Sequence, residues 1–315
     1  MYFAITHLTT FSYSDAISDS VMEVWMQPRN DAGQRCMRFE LKISPKARAF
    51  AMHDYLDNTF HVFDIPGSHR KLAVRAESIV ETKQTVMLPD ALEAETWAEI
   101  EAATERERDL YDMLLPSTFA RRTPVLDNFG AQIGAARGTD PLSTLRVLNT
   151  AIYRALNYMP NVTTVDSPID DALLAGQGVC QDFAHIMITL VRGLGIPCRY
   201  VSGYLFYQSD DHTRSQEDAT HAWVEAWLPG YGWTGFDPTN DLICGEHHIS
   251  AAVGRDYADV PPTKGVFLGV ATSFLEVSVK ISQLHELPSD GETLAPEIVL
   301  PKFDLLSQQH QQQQQ

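Results

Sequence analysis

Residues 176–195, GQGVCQDFAHIMITLVRGLG, constrain the chain more tightly than any other stretch. Phe183, Ile186, Met187, Leu190, Val191 and Leu194 recur at the spacing of one apolar helix face. Gly195 and Pro197 end that pattern. Cys180 therefore stands at or just before a helix N-terminus. The unpaired N–H groups and the helix dipole there favour an anion, and so a thiolate over a thiol. Gly176 and Gly178 ahead of it allow a substrate backbone to come close. A lone cysteine at such a position is more often a buried structural residue than a nucleophile. The choice between the two rests on what lies downstream.

Downstream, HAWVEAWLPGYGWTGFDPTN reads as two strands around a Pro229-Gly230-Tyr231-Gly232 turn. His221 lies near the start of the first strand and Asp237 toward the end of the second. A hairpin brings those two ends together, although the pattern leaves the register open by a residue or more. A His and an Asp on adjacent strands, facing a cysteine at a helix start, form a set of nucleophile, base and orienting acid. In that order, on helix, strand and strand, the three outweigh the bland reading of Cys180.

Around this centre the chain falls into three parts. Residues 1–88 are β-rich, with runs such as FAITHLTTFSYS, CMRFELKIS and KLAVRAESIVET and no intervening helix, as in an antiparallel sheet or small sandwich. Residues 89–285 hold a helical connector and then the core. Within them 90–113 read as a solvent-facing helix. TDPLSTLRVLNTAIYRALNYMP reads as a helix capped by Thr139 or Asp140 and ended by Pro160, and GRDYADVPPTKGVFLG looks irregular. Residues 286–315 form a polar tail ending in HQQQQQ that carries no fold information. The 41 acidic against 24 basic residues give a net charge of −17, which argues against nucleic acid and against an anionic membrane surface as partners. Four scattered cysteines form no C-x-x-C pair. The start lacks the pattern of a secretory signal, and no run approaches the length of a membrane span. Together with the free thiols, this leads us to expect a cytoplasmic protein.

The motifs GVCQDFAH (178–185), GIPCRYVSGY (195–204), THAWVEAW (220–227) and GFDPTN (235–240) resemble the transglutaminase-like superfamily of papain-like thiol enzymes. The resemblance is closest over 140–245. The β-rich start and GRDYADVPPTKG look like the flanking segments of a bacterial branch of that family with cysteine-protease members. The resemblance implies an α+β fold in which the cysteine helix packs on an antiparallel sheet. It puts Cys180, His221 and Asp237 on the family's catalytic positions, and implies acyl transfer through a thioester on a peptide or protein substrate. Water completing the reaction gives hydrolysis, as in a protease or amidase, and an amine gives cross-linking. No compact acidic calcium loop is visible, which favours hydrolysis over calcium-regulated amine transfer. A catalytically silent peptide-binding module is the alternative from another class.

The remaining candidates are weaker. An oxyanion needs a second donor beside the Cys180 N–H, and Gln177 or Tyr158 could supply it. Trp223 could shield the His221 pair from water, although core packing accounts for it better. His185 falls on the side of a regular helix away from Cys180, and Asp182 is explained by the helix dipole. Arg255, Asp256, Tyr257 and Asp259 read as a structural polar network. No spacing among Cys180, Cys198, His221, Cys244 and the His247-His248 pair fits a zinc site. We therefore expect no metal and no cofactor. Specificity is assigned to the polar insert at 208–219.

Overall fold

The computed structural model describes residues 1–83, 87–207, 214–215 and 219–287. Its first element, β1 (Tyr2–Val24), is one strand of 23 residues. Phe3, Ile5, His7 and Thr9 alternate inward with the period of a half-buried strand. The exposed Ser14, Asp15 and Ala16 then break the register, so the strand's second half meets new partners. β2 (Gln34–Ser44), β3 (Phe50–His53), β4 (Thr59–Ile65) and β5 (His69–Thr82) complete an antiparallel sheet in the order β2-β5-β1-β4-β3.

The connector is helical. The 90–113 stretch splits into α1 (Thr96–Arg106) and α2 (Arg108–Asp112), because Glu107 between them is extended. Only Thr96, Ile100, Ala103 and Thr104 of α1 are buried, in keeping with its thin apolar stripe. Thr123 caps α3 (Pro124–Ile133), and Asp140 caps α4 (Pro141–Ala155) by accepting from the Ser143 N–H at 2.9 Å. α4 ends at Ala155, not at Pro160. Leu156 turns extended and β6 (Asn157–Tyr158) peels away, because its backbone finds a parallel partner in β7 (Gln177–Gly178). α5 (Ile169–Ala175) fills the gap between them and closes on Gly176 in the left-handed region, at φ 64°.

Immediately after β7 comes α6 (Cys180–Gly193), with Phe183, Ala184, Ile186, Met187, Ile188 and Val191 fully buried in the main core. It lies against a second antiparallel sheet. That sheet consists of β8 (Cys198–Leu205), β9 (His221–Leu228), β10 (Gly232–Asp237), β11 (Leu242–Ile243) and β12 (His248–Gly254), in the order β11-β10-β9-β8-β12. The molecule is thus an α+β fold with an N-terminal β sheet, a helical connector and a cysteine helix packed on an antiparallel sheet. The segment that looks irregular in sequence holds a 3-10 turn (Tyr257–Asp259) and a further strand, β13 (Thr263–Leu268). β13 and β14 (Ser273–Leu284) return to pair with β1, so the first sheet is closed by the last strands of the described chain. No helix among the described residues is long and apolar enough to cross a membrane.

The edge strand β12 would expose unpaired backbone groups if the first sheet did not cover it. Gln34 and Asn58 do this with their amides. Gln34 bonds both the N–H and the C=O of Ser250 at 2.8 Å, and Asn58 bonds those of Val253 at 2.8 and 2.7 Å. Asn58 is itself held by Asp54 and Arg29. Each buried polar group left unpaired costs about 1–3 kcal/mol. Asn58→Ala strands two of them and should destabilise the fold by about 2–4 kcal/mol in urea melts. A loss under about 0.5 kcal/mol would mean that the amide clamp contributes little to the join.

Candidate active site

Gly178 is where the backbone narrows before α6. A Cβ there would sit 2.8 Å from the Asp182 carboxylate, which folds back to accept from the Val179 N–H at 2.8 Å. Thr163 donates to the same carboxylate oxygen at 2.6 Å. Asp182 thus braces the helix start from the third helical position and is buried, and burial pushes its pKa up to about 6 despite these bonds. With the start fixed, Cys180 becomes the first residue of α6, half-buried, with its N–H at the positive end of the helix dipole.

The β9–β10 hairpin settles the register left open by the sequence. Phe236 pairs with Val224, and one further step sets Asp237 across from Trp223. His221 is two residues from Trp223, so it shares that face and meets Asp237 diagonally. His221 Nε2 donates to Asp237 Oδ2 at 2.8 Å, and both residues are essentially buried. Its Nδ1 is also buried and has no hydrogen-bond partner among the described residues, and Cys180 is the remaining group that acts on the ring. Burial pushes the His221 pKa down. Asp237, by charge and hydrogen bond, and then Cys180 in the same two ways, push it further up, to about 10. The ring is therefore an imidazolium at neutral pH. Burial would raise the Asp237 carboxyl, but His221 and His248 hold it well below the usual range.

Asp237 has more partners than the sequence suggests. Its Oδ1 accepts from the backbone N–H groups of Thr239 and Asn240 at 3.0 and 3.3 Å. Its Oδ2 accepts from His221, from Asn240 Nδ2 at 2.8 Å and from His248 Nε2 at 3.3 Å. Asn240 in turn shares a hydrogen-bond cluster with Ser215, whose hydroxyl meets that of Tyr207 at 2.8 Å. Asn240 lies inside the GFDPTN motif, so a signal for it existed. His248 has only its position in a His-His pair, whose spacing fits no zinc site. Nothing in the sequence separates it from His247.

The weaker candidates sort clearly. Trp223 is buried against Val201 and Val253, and its ring stacks on His221 with centroids 6.0 Å apart, so packing and shielding coincide in one residue. Gln177 and Tyr158 belong to adjacent short strands, β7 and β6, at the approach to Cys180, and both are half-buried. His185 is turned away, stacked on Phe119 at 5.4 Å and accepting from the Tyr257 N–H at 3.2 Å. Arg255 and Asp259 form a bidentate pair, and Asp256 accepts from the Phe119 N–H at 2.6 Å, so that cluster braces the loop beside His185. Of the insert at 208–219, all but 214, 215 and 219 lies outside the described residues, as does the tail from 288 onward. Among the described residues one group has donors close enough to hold a cation: His221, Asp237 and His248, whose ligand atoms lie within 4.8 Å of one another. Those atoms already satisfy one another by hydrogen bonds.

The profile of the Transglutaminase-like superfamily matches residues 130–238, and that of the Bacterial transglutaminase-like N-terminal region matches residues 3–81. An uncharacterized protein of Mycobacterium leprae is 33% identical over 281 residues, covering 89% of this chain and 98% of its own length. One from Mycobacterium tuberculosis is 32% identical over 307 residues, covering 93% and 94%. A protein-glutamine gamma-glutamyltransferase of Pseudomonas aeruginosa is 32% identical over 104 residues, which is 30% of this chain and 16% of that one. In three dimensions, the crystal structure of a candidate cysteine protease from Cytophaga hutchinsonii superposes with a TM-score of 0.68 at 21% identity, covering 91% and 93% of the two chains. It shares the fold across both sheets.

Proposed function

This chain belongs to the transglutaminase-like superfamily, and from that premise we propose a thiol-dependent acyl transferase in which Cys180 attacks a peptide or amide carbonyl and water completes a hydrolysis. The observation that carries the proposal is a buried imidazole, His221, held between Asp237 at 2.8 Å and a cysteine at a helix N-terminus. In this reading the thiolate of Cys180 adds to the carbonyl carbon. The negative charge moves to the carbonyl oxygen, where the Cys180 N–H receives it. Gln177 or Tyr158 supplies the second donor. His221 gives its Nδ1 proton to the leaving amine as the tetrahedral species collapses to a thioester. The neutral ring then takes a proton from water, which attacks the thioester and releases the carboxylic acid, and thiolate and imidazolium are restored. Asp237 keeps the ring oriented and favours its charged form throughout.

Amine transfer shares the first half of this sequence and differs only in what attacks the thioester. The local match to the Pseudomonas aeruginosa gamma-glutamyltransferase keeps it as the second reading. One experiment separates the two. The protein is incubated with a proteome-derived peptide library in 18O-water containing a biotinylated primary amine, beside Cys180→Ala. Cys180-dependent 18O at new carboxyl groups supports hydrolysis. Biotin on glutamine side chains supports amine transfer. Equal product with Cys180→Ala, or none with the wild type, overturns the enzymatic proposal in favour of a peptide-binding module.

A further inference from the structure

The proposal rests on the Cys180–His221–Asp237 reading and extends it to a fourth residue: we propose that His248 is a positioning residue that holds the His221 imidazole through two of its neighbours at once. The two neighbours are Asp237, hydrogen-bonded to Nε2, and Trp223, stacked on the ring. His248 touches both. Its Nε2 lies 3.3 Å from Asp237 Oδ2, and its ring meets Trp223 edge-on with centroids 5.3 Å apart.

The tautomer of His248 is fixed from its other side. The Gly245 N–H donates to Nδ1 at 3.4 Å, so Nδ1 carries the lone pair and Nε2 carries the hydrogen that Asp237 accepts. Burial, with the charges of His221 and His247, pushes the His248 pKa down against the pull of Asp237. One buried carboxylate therefore serves two imidazoles in different states. His221 is charged and faces the thiol, while His248 is neutral and acts as a fixed donor. His248 also lines an open cavity of about 560 Å³ beside Asn240, Leu205, Phe206, Leu242 and His247, and so stands between that cavity and the buried Asp237. A side chain without the Nε2 donor would free one of the three bonds on Oδ2 and one edge of Trp223 together, loosening the acid and the wall that define the direction of His221.

Four proteins test this: wild type, His248→Leu, His248→Gln and His221→Ala, each checked for folding by thermal melt. The readouts are the rate of Cys180 alkylation by iodoacetamide at pH 7 and the His221 ring titration by 15N-histidine NMR. For His248→Leu the expected result is a roughly tenfold slower alkylation and a His221 titration moved down from about 10. Gln places an amide donor near the same point, and should recover at least half of the rate loss and most of the titration shift. A purely structural role would move the melting temperature and leave the titration in place. If both His248 variants match the wild type in rate and titration while His221→Ala is alkylated more slowly, the His248 proposal fails and the three-residue reading stands. If His221→Ala also matches the wild type, the three-residue reading itself has failed.

Discussion

Replacing His221 with Ala should remove the reactivity that sets Cys180 apart from the other three cysteines. Burial pushes the thiols of Cys36 and Cys198 up to about 11, and that of Cys244 well above its ordinary value, so none of them offers a thiolate near neutrality. Cys180 is half-buried at a helix start and faces an imidazolium. An unassisted cysteine, with a pKa of about 8.5, is roughly 0.3% thiolate at pH 6. In the wild type a cationic ring faces the sulfur, and His221→Ala removes it. We expect peptide-resolved iodoacetamide labelling at pH 6 to fall about 100-fold at Cys180 in His221→Ala, with the other three cysteines unchanged. The pH dependence has a definite sign. The folded pKa of His221 is raised to about 10 from an ordinary 6.5, so its charge persists below about 10 and the pairing with Cys180 is lost as pH rises through that value. By linkage, the stability contributed by His221 is complete below 6.5 and drains away between 6.5 and 10. Equal labelling of Cys180 in wild type and variant at pH 6 would show that the ring does not hold the thiolate.

The helix at 180–193 and the hairpin after it were legible because each is set by local rules. A 3.6-residue stripe with Gly195 and Pro197 beyond it defines the helix, and a Pro-Gly-x-Gly turn between β-branched and aromatic runs defines the hairpin. The contact between His221 and Asp237 was legible only as proximity, since a register depends on packing across the whole sheet. The sequence could not reveal partnerships between distant segments. Gln34 and Asn58 look like ordinary loop amides until β12 lies against them. β13 lies in a segment that looks irregular until β1 offers its edge. The early end of α4 has the same origin, because the backbone of Asn157 and Tyr158 pairs with a segment twenty residues on, and that pairing outweighs local helix preference. His248 is the case with functional weight. It and His247 are adjacent and alike in sequence, and only the start of β12 at His248 sets one of them against Asp237.

The second large effect is expected of Asp237→Asn. The carboxylate accepts five hydrogen bonds, three of them on one oxygen, and all five partners are donors. An amide offers a single acceptor oxygen. If that oxygen keeps the Thr239 and Asn240 backbone N–H groups, its NH₂ faces two imidazoles and the Asn240 amide, which sets donor against donor. His221 then loses its principal opposite charge while remaining buried. Burial is the largest influence on this ring and acts downward, so His221 should become neutral at pH 7. Acylation of Cys180 by p-nitrophenyl acetate should slow by about 10³-fold or more, in line with the loss of the orienting acid from Ser-His-Asp triads. Stability should change as well, because removing one partner of a buried ion pair costs about 3–5 kcal/mol, relieved in part as the ring sheds its proton. In the wild type, a raised folded pKa makes His221 a stabilising residue below pH 6.5. In the variant the folded pKa is depressed, the unfolded chain binds the proton first, and the same residue costs stability as pH falls below 6.5. Urea melts at pH 5 and pH 8 should therefore show the gap between the two proteins widening on acidification. A gap that stays constant, with acylation within about threefold of wild type, would mean that Asp237 neither charges nor orients His221.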